Sequence, residues 1–218
     1  MRLVFLGPPG VGKGTQAKRL SLAHRIPHLA TGDMLRAAIS KGEATGLEAR
    51  SYVHSGRLVP DELVIRIVKE RLLEADMRGG FILDGFPRTH EQAEALSKMG
   101  EGNRIDRVLF FDLNEEALVK RLSGRHVCGK CYEIYHAVNR PPVQEGVCDL
   151  CSASLVFRKD DQPDAVIERL RTYKSETFPL VQYYERQGCL SRINAGGSVE
   201  EVERCVEQAA QMGVSPRD

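Results

Sequence analysis

Short apolar runs along the chain alternate with longer stretches in which apolar positions recur every three or four residues. Residues 3–6, 28–30, 81–83, 108–113 and 190–194 read as short, largely apolar strands. Between them, residues 16–25, 33–40, 47–54 and 61–75 carry a helical period, with Asp61 placed to cap the last. This alternation predicts parallel strands joined by helical crossovers, an open α/β domain whose ligand sits beyond the carboxyl ends of the strands. Ser198-x-x-Glu201 predicts a capping box opening a final helix over 199–212, and 213–218 reads as a frayed tail. Residues 126–160 break the rhythm: they hold little helical period, contain Pro141-Pro142 and carry four of the six cysteines. An insert of about 35 residues buries too little core to hold itself together, so a staple is expected.

The first strand empties into Gly7-Pro8-Pro9-Gly10-Val11-Gly12-Lys13-Gly14-Thr15. The glycines free the backbone to turn successive N–H groups toward an anion, and Lys13 adds a full charge. The helix that follows points its partially positive N-terminus at the same place. Gly7-x4-Gly12-Lys13 matches the phosphate-binding P-loop, with Gly14 in the usual hydroxyl position and Thr15 one residue later. A tight strand-to-helix turn with an exposed lysine is the competing reading, but strand, loop and helix all fall where phosphate binding needs them. The expected ligand is a nucleotide.

Composition narrows the partners. Lys+Arg 31 against Asp+Glu 30 gives a net charge of +1 over 218 residues, so no global field points to nucleic acid or to an acidic membrane. The apolar stretch before Gly7 is too short for a signal peptide, and no later run approaches about 18 apolar residues, which predicts a cytosolic location. In a reducing compartment, cysteines at ligand spacing favour metal over disulfide. Cys128-x2-Cys131, followed after sixteen residues by Cys148-x2-Cys151, is such a spacing for tetrahedral zinc, with two disulfides as the alternative. Four sulfurs leave no open coordination position, so the metal is expected to be structural. Cys189 and Cys205 have no partner at ligand spacing and read as small apolar core residues.

Asp84 ends an apolar strand at the level of the expected phosphates, where it would reach magnesium directly or through water; an Asx turn before Gly85 is the alternative. Asp33, in Thr31-Gly32-Asp33-Met34, is placed either to hold magnesium-bound water or to cap a helix. Arginines recur beside bends: Arg36, Arg57, Arg88 after Gly85-Phe86-Pro87, Arg121, Arg125, Arg158 and Arg169. Arg121 and Arg125 read as an i, i+4 pair on one helical face leading into the insert. So many planar, bidentate phosphate clamps exceed what one nucleoside triphosphate needs, and predict two phosphorylated substrates.

At these residues the chain resembles the adenylate kinases, in their long-lid, zinc-bearing form, from residue 1 to about 206. The segments that carry the likeness are 7–15, Thr31-Gly32-Asp33-Met34-Leu35-Arg36, Asp84-Gly85-Phe86-Pro87-Arg88 and Arg158-Lys159-Asp160-Asp161. The resemblance implies a P-loop three-layer α/β fold around a five-stranded parallel sheet, with the core in 1–30, 60–125 and 162–218. It implies an AMP-binding helical segment at 31–59 and a mobile zinc-stapled lid at 126–161. The implied activity is reversible, magnesium-dependent phosphoryl transfer from ATP to AMP giving two ADP, serving adenine nucleotide homeostasis, by a monomer.

Carried over by position, Gly10, Val11, Gly12, Lys13, Gly14 and Thr15 hold the ATP phosphates, Arg125, Ile134 and Tyr135 meet ATP from the lid side, and Arg121 covers the adenine. Gly197 falls where relatives often carry a longer side chain beside the adenine, so a contact there uses backbone. The AMP side takes Thr31, Arg36, Arg57, Leu58, Val59, Gly85, Phe86, Pro87, Arg88 and Gln92. Arg158 and Arg169 complete the cluster around the transferring phosphates, and Lys13, Arg88, Arg125, Arg158 and Arg169 form the catalytic set. Gln92 also completes Thr89-x-x-Gln92, a capping box, so its amide either reads a base or caps a helix. A kinase for another nucleoside monophosphate, or one using GTP as donor, is the nearest alternative. A GTP switch would need an Asn-Lys-x-Asp stretch, which the sequence lacks. A nucleic-acid module built on the zinc knuckle would need a basic run or aromatic ladder in the insert, and neither occurs.

Overall fold

The computed structural model describes residues 1–100 and 104–212; the expected tail at 213–218 lies outside the described residues. The chain runs β1 (Arg2–Leu6), α1 (Lys13–His24), β2 (His28–Ala30), α2 (Thr31–Lys41), α3 (Ala44–Ser55), α4 (Asp61–Leu72) and β3 (Phe81–Asp84). It continues through α5 (His90–Ser97), β4 (Arg107–Asp112), α6 (Glu115–Ser123), β5 (Arg125–Cys128), β6 (Ile134–His136) and β7 (Leu155–Val156). Last come α7 (Pro163–Thr172), α8 (Leu180–Arg186), β8 (Leu190–Asn194) and α9 (Val199–Gln211).

Five strands form one sheet in the order β2-β3-β1-β4-β8, with every neighbouring pair parallel. Side chains alternate across it, as a pleated strand requires. Val4, Leu6, Leu83 and Phe110 face one apolar core with α4, α5 and α8, while Leu3, Phe5, Ile82, Leu109 and Phe111 face the other with α1, α6, α7 and α9. The result is helix, sheet, helix in three layers. Because β1 is central and its two neighbours, β3 and β4, come later in the chain, the loop leaving its carboxyl end opens at a topological switch point. That loop is the glycine-rich segment.

Local chemistry accounts for the element ends. Ser198 and Glu201 form the reciprocal capping box of α9, whose buried stripe is Val202, Val206, Ala209 and Ala210. Cys205 sits at the edge of that stripe and is exposed, contrary to the expectation of a core residue; Cys189 is partly buried against the first core. Asp61 does not cap α4: Pro60 holds the N-cap position, and the Asp61 carboxylate instead accepts from Thr89 Oγ1 at 2.8 Å and Gln92 Nε2 at 2.6 Å. The helix expected to reach residue 75 ends at Leu72, because Glu74 turns extended and Arg71 pairs with Asp76 of the following 3-10 turn. Asp33 lies inside α2, whose N-cap is Ala30, so it caps nothing.

The insert is a small antiparallel sheet in which β5 pairs with β6 and β7. Arg121 and Arg125 are not on one helix: α6 ends at Ser123 and Arg125 opens β5. At the C-cap Gly124 the His136 ring occupies the space a side chain would need, 2.6 Å from a Cβ there, so only glycine fits where the chain leaves the helix.

Candidate active site

Gly10 and Gly12 have φ of +83° and +105°, in the left-handed region that favours glycine, so the loop curls back over the end of β1. A Cβ at Gly10 would also lie 2.7 Å from Leu122 Cγ, because the loop packs on α6. Lys13 Nζ donates to the carbonyl oxygens of Gly7 and Pro8 at 2.7 and 2.9 Å, holding the curl from inside. Gly14 faces Asp84: a Cβ there would stand 3.4 Å from Asp84 Oδ2. Burial pushes the Lys13 ammonium down to about 8, with Arg88, Arg169 and Arg125 adding repulsion against the pull of Asp84. Burial alone would raise the Asp84 carboxyl, but His28, with Nε2 3.4 Å away, and Lys13 outweigh it and hold it below the usual range.

Arginines from separate elements converge on this loop. Arg88 follows Gly85 at φ +80°, and its Nε donates back to the Gly85 carbonyl at 2.9 Å. A Cβ at Gly85 would crowd Arg88 and Thr31 Oγ1 at 2.9 Å each, so this turn also requires glycine. Burial and the neighbouring Arg169 lower Arg88 to about 10; burial, Arg36 and Arg125 lower Arg158 to about 9. Arg121 donates to the carbonyls of Val11 at 3.1 Å and Ala195 at 2.9 Å, tying the loop to the end of β8.

Three carboxylates thread between these cations. Asp33 accepts from Arg36 at 2.5 Å and Arg158 at 3.3 Å. Asp160 lies 3.4 Å from Arg36 and 3.3 Å from Arg169, and Asp161 pairs with Arg125 and, at 2.7 Å, with Arg169. Burial would raise the Asp160 carboxyl, yet Arg169, Arg36, Arg158 and Arg125 together bring it down to about 2. Asp160 and Asp161 were legible only as the acidic end of Arg158-Lys159-Asp160-Asp161, with no role attached to them.

Most of these groups line one cleft of about 1160 Å³, with Asp161 and His28 outside its lining. Its lining includes the positions expected on the donor side, Gly10 to Thr15, Arg121, Arg125, Ile134, Tyr135 and Gly197, and those expected on the acceptor side, Thr31, Arg36, Arg57, Leu58, Val59, Gly85, Pro87, Arg88 and Gln92, together with Asp33, Asp84, Arg158 and Arg169. Phe86 lies apart, fully buried in the first core, where it props the Gly85-Pro87 turn. Arg57 is exposed, stacked 5.3 Å over the Tyr52 ring. At Gly197 a Cβ would lie 2.8 Å from the capping carboxylate of Glu201. Glu133, Lys18 and Asp61 belong to the site's framework, and sequence reasoning gave them no part in it.

In the insert, the sulfurs of Cys128, Cys131, Cys148 and Cys151 all lie within 4.8 Å of one another. Cys128 and Cys151 are 3.4 Å apart and Cys131 and Cys148 3.5 Å, far beyond a disulfide bond of about 2.05 Å. A tetrahedron with metal–sulfur bonds of about 2.3 Å needs sulfurs roughly 3.8 Å apart, so the group fits zinc with little adjustment. Backbone N–H groups of Lys130 and Cys131 point at Cys128 Sγ, the donors that thiolate ligands accept. Tyr135 joins this cluster to the cleft: it lines the cleft while its hydroxyl accepts from the Asp149 N–H at 2.8 Å and lies 3.5 Å from Cys148 Sγ.

A glycine-rich loop, a converging arginine set and a four-cysteine insert on one parallel sheet are the features the resemblance implied, and comparison with known proteins decides the family. The adenylate kinase profile matches residues 5–189. The chain belongs to the adenylate kinase family. The adenylate kinase of Clostridium tetani is 48% identical over 204 residues, covering 93% of this chain and 94% of the relative. That of Archaeoglobus fulgidus is 48% identical over 209 residues, 95% and 96% of the two chains, and that of Caldicellulosiruptor saccharolyticus 45% over 216, 98% and 100%. As an adenylate kinase the protein is an enzyme of phosphoryl transfer between adenine nucleotides, with ATP, AMP and ADP as its substrates. Among the described residues, no helix is long and apolar enough to cross a membrane.

Proposed function

We propose that the protein transfers the terminal phosphoryl group of ATP to AMP, giving two ADP, with magnesium, in the cytoplasm and as a monomer that serves adenine nucleotide balance. The observation that carries this reading is the crowding of Lys13, Arg88, Arg158 and Arg169 around one cleft, each with its pKa lowered by burial. Such a cluster is relaxed by a polyanion, and two nucleotides meeting end to end supply one.

In this reading the loop N–H groups around Gly12 and the Lys13 ammonium hold the ATP phosphates at the N-terminus of α1. Arg121, Ile134, Tyr135 and the Gly197 backbone border the donor nucleotide. Thr31, Arg36, Arg57, the Leu58-Val59 backbone, Gly85, Arg88 and Gln92 hold AMP. AMP presents an already anionic oxygen, so no general base is needed, and catalysis reduces to in-line alignment and neutralisation of charge on the transferring group. Arg88, Arg125, Arg158 and Arg169 supply that neutralisation. Asp84, held ionised beside Gly14, would hold magnesium directly or through water, with Asp33 holding magnesium-bound water, and the metal would add positive charge at the ATP phosphates. Residues 126–161 act as a lid that excludes water while both nucleotides are bound, since water would otherwise take the phosphoryl group. Structural zinc lets that lid move as one body.

The test is to supply ATP with AMP, GMP, CMP or UMP and follow diphosphate formation. The reading requires AMP to be the preferred acceptor and turnover to depend on magnesium; equal use of the four acceptors would overturn it.

A further inference from the structure

The side-chain amide of Gln92 is clamped at both ends. Gln92 is only 1% exposed, and its Oε1 accepts from the Arg88 backbone N–H at 2.8 Å while its Nε2 donates to Asp61 Oδ1 at 2.6 Å. The second oxygen of Asp61 accepts from Thr89 Oγ1 at 2.8 Å, so the carboxylate is itself held. A backbone N–H only donates and a carboxylate only accepts. Turning the amide by half a rotation would therefore set N–H against N–H and oxygen against oxygen, losing two buried hydrogen bonds at once. One lone pair on Oε1 and one N–H on Nε2 remain for the cleft that Gln92 lines.

We propose that Asp61 is a positioning residue that fixes the orientation of the Gln92 amide and thereby makes the acceptor site select adenine over guanine. This rests on the proposed placement of the AMP base at Gln92. Adenine offers an amino donor at position 6 beside a ring-nitrogen acceptor; guanine offers a carbonyl acceptor at position 6 beside a ring N–H donor. The two edges have the same shape and inverted polarity. A freely turning amide satisfies either, whereas a fixed one satisfies one and opposes the other with like groups. Asp61 does this without touching a nucleotide, because α4 delivers its first residue against the first turn of α5.

Asp61→Asn tests the proposal, since a side-chain amide either donates or accepts and so removes one of the two clamps, leaving only the Arg88 N–H to oppose a turned Gln92. Measured with saturating ATP, the ratio of kcat/KM for AMP to that for GMP should fall about tenfold or more, mainly through a rise for GMP, while the KM for ATP stays at the wild-type value. Asp61→Glu, which keeps an acceptor-only group, should retain more of the selectivity. A folded asparagine variant with the wild-type ratio, or one that loses AMP and GMP turnover equally, overturns the proposal and leaves Asp61 as a packing residue. If the asparagine variant does not fold, Asp61→Ser, whose hydroxyl also donates or accepts, carries the same test. Wild-type enzyme that uses GMP as readily as AMP overturns the acceptor reading itself; wild-type selectivity preserved in Asp61→Asn overturns only the role of Asp61.

Discussion

Lys18 on α1 donates to Glu133 across 2.9 Å, and this pair ties the helix that starts in the phosphate loop to the four-cysteine insert. The same ammonium reaches the Tyr132 carbonyl at 3.3 Å, and Arg140 holds the other oxygen of Glu133. The consequence is positional: Ile134, next in the chain, comes to lie over Gly14, 3.6 Å from where a Cβ would stand.

Lys18→Met should therefore loosen the insert without touching the transferring phosphates. A partly exposed ion pair contributes up to about 1 kcal/mol, so the KM for ATP should rise roughly two- to fivefold with kcat nearly unchanged. Steady-state kinetics at low and high salt check this, because the wild-type advantage should shrink as salt screens the pair.

Arg88→Ala removes a buried cation whose side chain is anchored on the Gly85 carbonyl. Turnover in a coupled assay should drop by about 10²–10³-fold, while the melting temperature stays close to wild type. Near-normal turnover would remove Arg88 from the transfer site.

Lys13, pushed down to about 8, is partly neutral at pH 8.5 in the free protein. Bound phosphates favour its charged form and raise its pKa, so binding ATP at pH 8.5 should take up protons, and affinity should fall as pH rises from 8 toward the pKa of the complex. Calorimetry in buffers of different ionisation enthalpy reads the uptake directly. At pH 6.5, where Lys13 is already protonated, its contribution should vanish, and Lys13→Arg should abolish it at pH 8.5.

Chelating the four-thiolate metal, or replacing Cys128 with Ser, should lower the melting temperature by about 10 °C, the scale expected when several kcal/mol of metal binding are lost from a domain of this size. Phosphoryl transfer should persist at low temperature. Immediate and total loss of activity in protein that is still folded would contradict a purely structural metal.

The central strands were legible because burial on both faces makes them continuous apolar runs, as in Leu3-Val4-Phe5-Leu6 and Phe81-Ile82-Leu83, whereas 28–30 and 190–194, which coincide with β2 and β8 at the sheet edges, are only partly apolar and were placed by their alternation with helical stretches. The phosphate loop and the cysteine pairs were legible because their chemistry is local spacing. Contacts made between distant segments were not. Asp61 has the residue type of a cap, and only the arrival of α5, at Thr89 and Gln92, draws its carboxylate elsewhere. Arg125 continues a plausible helical face with Arg121 in sequence, but α6 ends at Ser123 with Gly124 as its C-cap, and Arg125 goes into β5. The strands of the insert escaped notice because they are four, three and two residues long, too short to show an alternating apolar face. Asp160 and Asp161 look like solvated charges in sequence, and only the fold sets them among Arg36, Arg125 and Arg169.

The proposed function stands on direct transfer between two nucleotides. ATP labelled in its γ-phosphate, mixed with AMP, magnesium and the protein, tests it most directly. The label should appear in the β-phosphate of ADP, one labelled ADP for each unlabelled ADP formed, with almost none in inorganic phosphate. Label released as inorganic phosphate at a rate independent of AMP would contradict the account.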